Sequence, residues 1–479
     1  MLLEEKQFSL NPAQATMLSF TALCIVGCFF LMLPIANSSG EWRDWVSALF
    51  MSVSSVCVTG LSVVQLGTDF TIWGQLIVLI LIQIGGLSYM TLTTVLVYMT
   101  GKRLSYSDSK VFDMSNNSES KINFADFVIK IGLLTFTIEL LGVLALLPNS
   151  LEVTGFDSRN INDLPGLFAG IFDAVFHSVS AFCNAGLSLY ANSLEGFRDN
   201  PWILFVFSFL PILGGLGYTV LNELYNWYQE YAKDKSTSFR PSLHTRVCLW
   251  MTGILLVLGV LIQLYLVFAQ NPDHIIIINN GESIISQYQA QSGGDAFWVS
   301  FFQSCAARSS GFNSIPLREL GDPSLLFLII WMFIGACPGG TAGGIKVTTL
   351  ALVGAIMWSG LKGGETKIFN RSINQIYQKR ALIVFISTVV MILFFSWLIN
   401  IFESGGTMRF IDQLFEVVSG FTTVGLSTGI TTELSSPSLL VLCLCMLIGR
   451  PGPLLFLMAM ITEDIYTKPK YPEEGILIG

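Results

Sequence analysis

Long apolar segments alternate with short polar ones along the whole chain. Crossing a bilayer takes about 20 apolar residues per helix. Candidate segments lie near residues 14–35, 72–100, 127–148, 201–222, 247–269, 324–337, 347–361, 381–402 and 438–461. The two short segments within 324–361 are separated by the glycine-rich stretch CPGGTAGGIK, so we count them as one interrupted span. The pattern predicts an all-α integral membrane protein with eight transmembrane helices.

Four short glycine-centred loops recur between these spans. They read SVCVTGLS, SAFCNAGLS, SCAARSSGFN and SGFTTVGLS, and their glycines are separated by 126, 125 and 114 residues. The four glycines are Gly60, Gly186, Gly311 and Gly425. A segment of helix length precedes each loop, and a long apolar segment follows it. We therefore expect four tandem modules of helix, re-entrant pore helix, loop and helix, arranged with pseudo-fourfold symmetry around one pore.

The repeat extends into the helix that follows each loop. A glycine kink signal occurs 24 to 28 residues past each loop glycine, at Gly85, Gly214, Gly335 and Gly449. A single such glycine would indicate only close helix packing, but four in register favour a duplicated module. The predicted modules cover residues 1–115, 116–235, 236–370 and 371–479.

Within the modules, the half-helices before the first three loops are predicted at 42–56, 166–182 and 297–306. The loops themselves are predicted at 57–62, 183–188 and 307–313. The helix after the second loop is expected to run from Pro201 to about Tyr231, with the kink signal at Gly214 inside it.

Composition and charge placement agree with this topology. The 479 residues are 52% hydrophobic and 12% charged, whereas soluble proteins are about one quarter charged. Of the 25 Lys and Arg residues, 17 lie near the termini or in the connections between modules. By the positive-inside rule, the N-terminus, these connections and the C-terminus face the cytoplasm. We expect a multi-pass protein of the plasma membrane, the inner membrane of a prokaryote, without a cleavable signal peptide.

The glycine loops suit a cation pathway. Backbone carbonyls replace the water ligands of a cation without a fixed charge that would trap it, and glycine adopts the required left-handed backbone angles at low cost. The C-terminal, negative ends of the half-helices would favour cations over anions. The candidate filter consists of three residues in each loop: Val58, Thr59 and Gly60; Asn184, Ala185 and Gly186; Ser309, Ser310 and Gly311; and Thr423, Val424 and Gly425.

The glycine-rich break in the third module is a candidate gate. The expected gating loop spans 335–346, with the movable part formed by Gly339, Gly340, Thr341, Ala342, Gly343, Gly344 and Lys346. It is not a phosphate-binding loop, because no strand precedes it and Lys346 does not directly follow the last glycine. Three interpretations of Lys346 stay open: a positive plug, a cation held by an acidic partner, or a side chain that snorkels to the interface.

Two arginines also lie at membrane depth, where an unpaired charge is costly. Arg450, in the last helix, is interpreted either as an electrostatic barrier in the pore or as a clamp on helix-break carbonyls. Arg308 precedes the third loop and is interpreted as structural; Glu416 or Asp173 on the half-helices could neutralise it, and the sequence does not choose between them.

Other chemistry has little support in the sequence. Six of the nine cysteines fall on apolar helical stretches and are expected to pack there as small residues, so neither a disulfide nor a metal site is inferred. The three histidines form no metal-ligand or catalytic pattern. We therefore expect no enzyme activity. No nucleic acid is expected as a partner.

At these motifs the chain resembles the Trk/Ktr/HKT superfamily of potassium transporters, and more closely its Ktr-type membrane subunit. The matching segments are VSSVCVTGLSVV, HSVSAFCNAGLSLY, FQSCAARSSGFNS, GACPGGTAGGIKVTT, SGFTTVGLSTGIT, IGRPGP and the tail YPEEGILIG. They cover all four modules. The gating loop departs slightly, because Ala336, Cys337 and Ala342 stand at positions that are often Gly or Ser.

The resemblance implies that potassium is transported and binds at the carbonyls around Gly60, Gly186, Gly311 and Gly425. A glycine in the first loop, where many plant relatives have Ser and admit sodium, implies potassium selectivity. The family's gate falls on Gly339 to Lys346 and its fourth-module arginine on Arg450. The family also implies a homodimer with one pore per subunit, docked on a cytoplasmic ring of nucleotide-binding subunits of the KtrA/TrkA type.

One alternative is a secondary symporter, coupled to sodium or protons, that works by alternating access. Such transporters contain paired inverted repeats, whereas these four modules share one orientation. Whether sodium acts as a second ion is left open by the sequence.

Overall fold

The computed structural model describes residues 12–86, 124–155, 164–235, 238–269, 293–406, 408–453 and 456. In these ranges the protein is predominantly helical. One short antiparallel strand pair, Lys367–Ile368 with Arg371–Ser372, lies in the connection between the third and fourth modules. The fold is all-α, as the apolar pattern predicts.

Each module consists of a first helix, a half-helix that ends at the glycine loop, and a last helix. The first helices are Pro12–Met32, Phe124–Val153, Leu243–Ala269 and Gln375–Phe402. The half-helices are Trp45–Val56, Leu164–Phe182, Gly293–Ser309 and Phe410–Phe421. The last helices are Ile72–Gly86, Pro201–Leu216, Asp322–Phe333 and Ser436–Gly449. After a break, Tyr218–Lys233 continues the second module and Val347–Lys362 continues the third.

Single-turn elements connect these helices. They are the 3-10 turns Pro34–Ala36, Glu195–Phe197, Leu317–Glu319 and Ile430–Glu433 and the short α-helix Leu66–Asp69.

Four described helices are long and apolar enough to cross a membrane. They are Ile129–Val153, Pro165–Phe182, Leu243–Leu266 and Gln375–Phe402, and the bent pair Pro201–Leu216 with Tyr218–Lys233 counts as a fifth. Pro165–Phe182 lies in the second half-helix and is the most enclosed of the four, with 56% of its apolar window buried against 28–39% for the others. Each of the eight predicted spans contains at least one described apolar helix, although 87–100 and most of 454–461 lie outside the described residues.

The second module contradicts one prediction. Instead of one helix from Pro201 to Tyr231, the chain bends by 96° at Gly217, which has φ 83°. The third module's break passes through this bend: a Cβ built on Gly217 would lie 2.5 Å from the carbonyl oxygen of Pro338. The N–H of Tyr218 donates to the carbonyl of Gly339 at 3.3 Å. The bend therefore makes room for the glycine-rich segment and binds it.

The half-helices also differ in detail from the predicted ranges. The first begins at Trp45 rather than 42, because the Asp44 side chain accepts hydrogen bonds from Val46 N and Ser47 N as an N-cap. The third is longer than the predicted 297–306 and includes Ser309. Its helical pattern continues because the N–H of Ser310 donates to the carbonyl of Ala306, four residues back.

A glycine of the first helix packs against a serine of the half-helix in three modules. The pairs are Gly27 with Ser52, Gly142 with Ser178, and Gly259 with Ser304. Each serine hydroxyl donates to the carbonyl three residues before its glycine, at 2.7, 2.7 and 3.4 Å. The missing Cβ allows the helices to approach closely, and the hydroxyl ties them together, a common device in membrane proteins.

This contact yields a test with a control in the same helix. Val at Gly142 would collide with the Ser178 hydroxyl, whereas nothing lies within 4 Å of a Cβ at Gly132. Overpacking typically costs about 1–3 kcal/mol. We expect Gly142→Val to lower the unfolding temperature in detergent and Gly132→Val, which has the same effect on helix propensity, to leave it nearly unchanged. Equal shifts for the two variants would show that the close contact is unimportant.

Candidate functional site

The four loop glycines form a closed ring of backbone contacts. A Cβ built on Gly60 would lie 2.7 Å from the carbonyl oxygen of Ala185, and 3.2 Å from the Cα atoms of both Gly186 and Gly425. The same relation repeats around the ring. Gly186 faces the Ser310 carbonyl at 2.8 Å, Gly311 faces the Val424 carbonyl at 2.5 Å, and Gly425 faces the Thr59 carbonyl. Each glycine thus faces the carbonyl that precedes the glycine of the next module.

Both the space and the backbone angle at these positions require glycine. The φ angles of the four glycines are 102°, 65°, 73° and 89° in chain order, a region that L side chains rarely adopt. Any Cβ would also press on the backbone of a neighbouring loop. Substitution at one loop therefore disturbs a second one.

Three of the four loops also carry a left-handed residue that is not glycine. Val58, Asn184 and Thr423 have φ of 53°, 62° and 50°, each lies two positions before its loop glycine, and all three are fully buried. This conformation is strained, especially for β-branched residues, and strained residues cluster at functional sites.

A shared hydrogen bond produces this conformation. In these three loops the N–H before the glycine reaches a carbonyl five residues back: Thr59 to Ser54, Ala185 to Ser180, and Val424 to Ser419. The third loop lacks this bond, and its Ser309 is helical. The predicted filter residue Ser309 is thus the last residue of a half-helix and not part of a loop.

The carboxylates on the half-helices hold the chain just beyond the loops. Glu416, with no exposed surface, accepts hydrogen bonds from Ser427 Oγ at 2.5 Å, Thr431 Oγ1 at 2.9 Å and the N–H of Thr428 at 3.1 Å. In the second module, Asp173 accepts from the Tyr190 hydroxyl at 2.7 Å and pairs with His177 at 3.2 Å.

Neither candidate partner of Arg308, Glu416 or Asp173, forms an ion pair with it among the described residues, and both acids bind these local partners instead. Arg308 is buried on the third half-helix, and its Nη1 lies 3.5 Å from the Thr252 carbonyl. Its Nε has no hydrogen-bond partner among the described residues.

The glycine-rich break between Phe333 and Val347 folds into a compact loop, which we call the gating segment (335–346). The N–H of Gly335 donates to the carbonyl of Ile345 at 2.8 Å, which closes the loop at its base. The N–H groups of Cys337 and Thr341 donate to the carbonyls of Gly215 and Gly214 at 3.0 and 3.2 Å. The second module's last helix, which ends at its bend, therefore supplies acceptors for the segment.

Thr341 connects the gating segment to the second and fourth modules, and Arg450 extends this connection to the first. The Asn184 side chain in the second loop donates to the Thr341 hydroxyl, which in turn lies 3.3 Å from the Phe182 carbonyl. Arg450 donates one Nη to the Thr341 carbonyl and the other to the Gly85 carbonyl, the latter at 2.7 Å. One guanidinium thus joins the fourth module to the segment and to the first module's last helix.

The segment also contacts the fourth loop. A Cβ built on Gly343 would touch the Thr423 hydroxyl and lie 2.8 Å from the Thr422 carbonyl. Lys346 donates its Nζ to the Ala342 carbonyl within the segment, and it forms no ion pair with any described carboxylate. The segment thus lies directly against the second and fourth loops.

The third module departs from the others where the last helix meets the half-helix. In the other modules, Gly85, Gly214 and Gly449 pack against the carbonyl of the final half-helix residue, namely Val56, Phe182 and Phe421. The corresponding Gly335 packs against the Gly343 carbonyl of the gating segment.

Sequence reasoning missed a polar cluster behind the second loop. Glu139, only 4% exposed, accepts a hydrogen bond from Gln83 Nε2 at 3.3 Å, and Cys183 Sγ lies 3.8 Å from its carboxylate. Cys183 directly precedes the strained Asn184. The lone acid in the apolar run of the second module's first helix was the available signal, since such residues are rare inside membranes.

Comparison with known proteins places the chain in a family. The TrkH family model, described as a cation transport protein, matches residues 11–465. The chain is 33% identical to Ktr system potassium uptake protein B of Vibrio alginolyticus, over 97% of this chain and 94% of that protein. It is 30% identical to potassium/sodium uptake protein NtpJ of Enterococcus hirae, over 98% of both.

A solved structure is similar in fold. The potassium transporter TrkH from Vibrio parahaemolyticus superposes with a TM-score of 0.69 at 17% identity, covering 96% of this chain and 87% of that one. The family match over nearly the whole chain, together with relatives that are named as transport proteins, establishes that this protein is a member of the TrkH family of cation transporters and not an enzyme.

Proposed function

We propose that this protein carries potassium ions across the plasma membrane through the ring formed by the four glycine loops. The observation that carries the proposal is the repeated contact in which each loop glycine faces the carbonyl before the next one. Such a ring presents oxygen ligands from all four modules to one axis, which is how a filter replaces the hydration shell of potassium. The names of the potassium uptake relatives support the choice of ion.

The proposed potassium ligands are the backbone carbonyls of the filter residues around the four glycines. Strain at Val58, Asn184 and Thr423 is consistent with this role, because it holds successive peptide groups in a defined orientation. In the third loop we assign the filter to Ser310 and Gly311, since Ser309 belongs to the half-helix.

We further propose that the gating segment opens and closes the pathway below the ring. Its hydrogen bond from Asn184 and its contact with Thr423 link it to the filter loops, and Arg450 holds it in place. This geometry favours the clamp interpretation of Arg450 over a free electrostatic barrier. Lys346 bonds within the segment, so its charge moves with the gate.

The assembly belongs to the same proposal. We propose a homodimer with one pore per subunit, regulated by a cytoplasmic nucleotide-binding ring of the KtrA/TrkA type, with both termini in the cytoplasm. Two relatives are named as protein B of a Ktr system, which supports a transporter of more than one component; the dimer and the ring rest on the resemblance to the Ktr-type subunit, and the cytoplasmic termini on the placement of Lys and Arg. Sodium is included as a second ion because one relative is named for both potassium and sodium uptake.

Glycine substitutions test the filter. Gly425 and Gly429 share a φ of 89°, but only Gly425 faces a neighbouring loop, whereas nothing lies within 4 Å of a Cβ on Gly429. We expect Gly425→Ser, like Gly311→Ser, to lower the ratio of potassium to sodium flux in vesicles by about tenfold, or ~1.4 kcal/mol of discrimination. Gly429→Ser has the same backbone strain and is expected to keep the ratio. An unchanged ratio of potassium to sodium flux in Gly425→Ser would contradict the assignment of the four loops as the selectivity filter.

Variants of the gate test the second part of the proposal. Arg450→Gln removes the two-carbonyl contact of the guanidinium, and deletion of 339–344 removes most of the segment. We expect both to raise rubidium flux and to reduce its dependence on the cytoplasmic subunits. Arg318→Gln, which breaks an exposed ion pair with Glu433, is the control and is expected to match the unsubstituted protein. Normal flux in both gate variants would show that the segment is only a break in helix packing and does not gate the pathway.

Sodium dependence has a direct test. We expect rubidium uptake into vesicles that contain this chain alone to increase when sodium is added at constant ionic strength. Equal uptake with and without sodium would limit the proposal to potassium.

A further inference from the structure

In the second module, a histidine on the half-helix holds the chain just beyond the glycine loop. His177 lies nine positions before Gly186 and is buried. Its Nε2 contacts the hydroxyl of Ser188 at 3.1 Å and accepts a hydrogen bond from the N–H of Leu189 at 3.3 Å. Because these are the second and third residues after Gly186, the histidine fixes the direction in which the chain leaves the second loop.

The fourth and first modules use the same position of the half-helix. Glu416 stands nine positions before the fourth loop glycine, and it binds the second and third residues after that glycine through the Ser427 hydroxyl and the Thr428 N–H. In the first module this position is occupied by Met51, whose sulfur lies 3.4 Å from the hydroxyl of Ser62. Three modules therefore place an acceptor of the half-helix against the same point of the outgoing chain.

The outgoing chain of the third loop is held differently. Phe302 occupies the equivalent position and has no polar group in its side chain. Asn313, the second residue after the third loop glycine, binds the outer chain of the second module instead. Its N–H donates to the Ser193 hydroxyl at 3.2 Å, and its side-chain amide donates to Glu195 at 2.9 Å. The chain that His177 positions therefore also supports the third loop.

The hydrogen bonds of His177 determine where its ring proton lies. A backbone N–H can only donate, so the Nε2 that accepts from Leu189 carries no proton, and the proton of the neutral ring lies on Nδ1. Nδ1 donates to the backbone carbonyl of Asp173 at 3.0 Å, beside the carboxylate of the same residue at 3.2 Å. A second proton on Nε2 would face the N–H of Leu189 and break that contact.

Two titratable side chains face the ring among the described residues. They are Asp173 on the same half-helix and Tyr190 beyond the loop, whose ring stacks on that of His177 with centroids 4.4 Å apart. The hydroxyl of Tyr190 donates to Asp173 at 2.7 Å. Ser188, which contacts Nε2, is only half-buried, so protons have a short route to this nitrogen.

The helices packed against the half-helix bring no further charge to the ring. The last helices of the first and second modules, as far as they are described, contain no titratable side chain. On the second module's first helix, Glu139 contacts Gln83 and Cys183. The other charged side chains described on that helix, Lys130 and Glu152, are exposed.

We propose that His177 is a positioning residue of the second filter loop and that its protonation lowers the selectivity for potassium over sodium. This inference rests on the proposed filter role of the loops. A proton on Nε2 removes the acceptor of the Leu189 N–H, which releases the chain after Gly186 and with it the orientation of the loop carbonyls. Histidine is the residue type that ordinarily changes its charge between about pH 5 and 8.

The test measures potassium and sodium flux in vesicles that contain the full chain, with the same buffer on both sides. We expect the ratio of potassium to sodium flux to fall severalfold from about pH 7.5 to about pH 5.5, the range in which histidine titrates. His177→Gln offers a side-chain oxygen that can accept from Leu189 and does not titrate, so it is expected to keep the high ratio at both pH values. His177→Leu offers no acceptor and is expected to show the low ratio at both.

His244→Gln is the matched control. His244 is half-buried on the third module's first helix, where it contacts Cys248 at 3.6 Å. This variant is expected to keep the full pH dependence of the unsubstituted protein. Loss of the pH dependence in His244→Gln as well would overturn the assignment to His177.

A second measurement does not require an active variant. Nitrogen-15 NMR of the histidine rings in detergent, assigned through the signals that disappear in His244→Gln and His274→Gln, is expected to show the His177 proton on Nδ1 at neutral pH and protons on both nitrogens at low pH. A proton on Nε2 at neutral pH would contradict the contact with Leu189 and overturn the proposal.

Failure of this proposal is distinguishable from failure of the filter assignment. A flux ratio that does not change with pH in the unsubstituted protein, or the full pH dependence in His177→Gln, overturns the role of His177 even where Gly425→Ser lowers the ratio as expected. An unchanged ratio in Gly425→Ser would instead show that the filter assignment itself is wrong.

Discussion

Backbone that leaves a helix inside a membrane must find partners for its N–H and C=O groups in the protein or in water. This chain leaves the helix at membrane depth in four loops and once more in the gating segment. The gating segment finds these partners in the second module. The N–H groups of Cys337 and Thr341 donate to carbonyls just before the bend at Gly217, and the N–H of Tyr218, just after the bend, donates to a carbonyl of the segment. The 96° bend and the break therefore depend on each other, since the carbonyls freed by one accept the N–H groups of the other.

The same constraint explains why the fourfold symmetry is incomplete. Three half-helices end with a hydrogen bond that spans five residues and forces a non-glycine residue into the left-handed region. The third half-helix continues regularly to Ser309 instead. In that module Gly335 packs on the segment and not on a half-helix carbonyl. The module that carries the segment is thus also the one whose loop and glycine contact differ from the rest.

The sequence predicts the fold better than it predicts the contacts. Apolar length and the recurrent glycines predict the modules, because both are local or periodic signals. The kink signal at Gly214 was recognised, but the 96° bend three residues later at Gly217 was missed, because only the approach of the gating segment makes so sharp a bend favourable. The partners of Glu416, Asp173 and Arg308 were also missed. The groups that Glu416 and Asp173 bind lie only 4 to 17 residues away along the chain, but hydroxyl, imidazole and backbone groups beyond a loop give no periodic signal that marks them as partners of a buried acid.

The two deep arginines show how a cation pathway can tolerate fixed positive charge. Arg450 donates to two carbonyls from different modules, and its planar, multi-donor head makes this contact possible in a way that Lys does not. Carbonyls contribute partial negative charge without neutralising the arginine, so much of its field persists near the segment. Arg308 has even fewer partners, since its Nη1 lies 3.5 Å from the Thr252 carbonyl and its Nε has no hydrogen-bond partner among the described residues. Arg308 lines the same pocket as Ala336 of the gating segment, so both deep guanidinium groups lie beside the one segment where the chain leaves the helix between two modules.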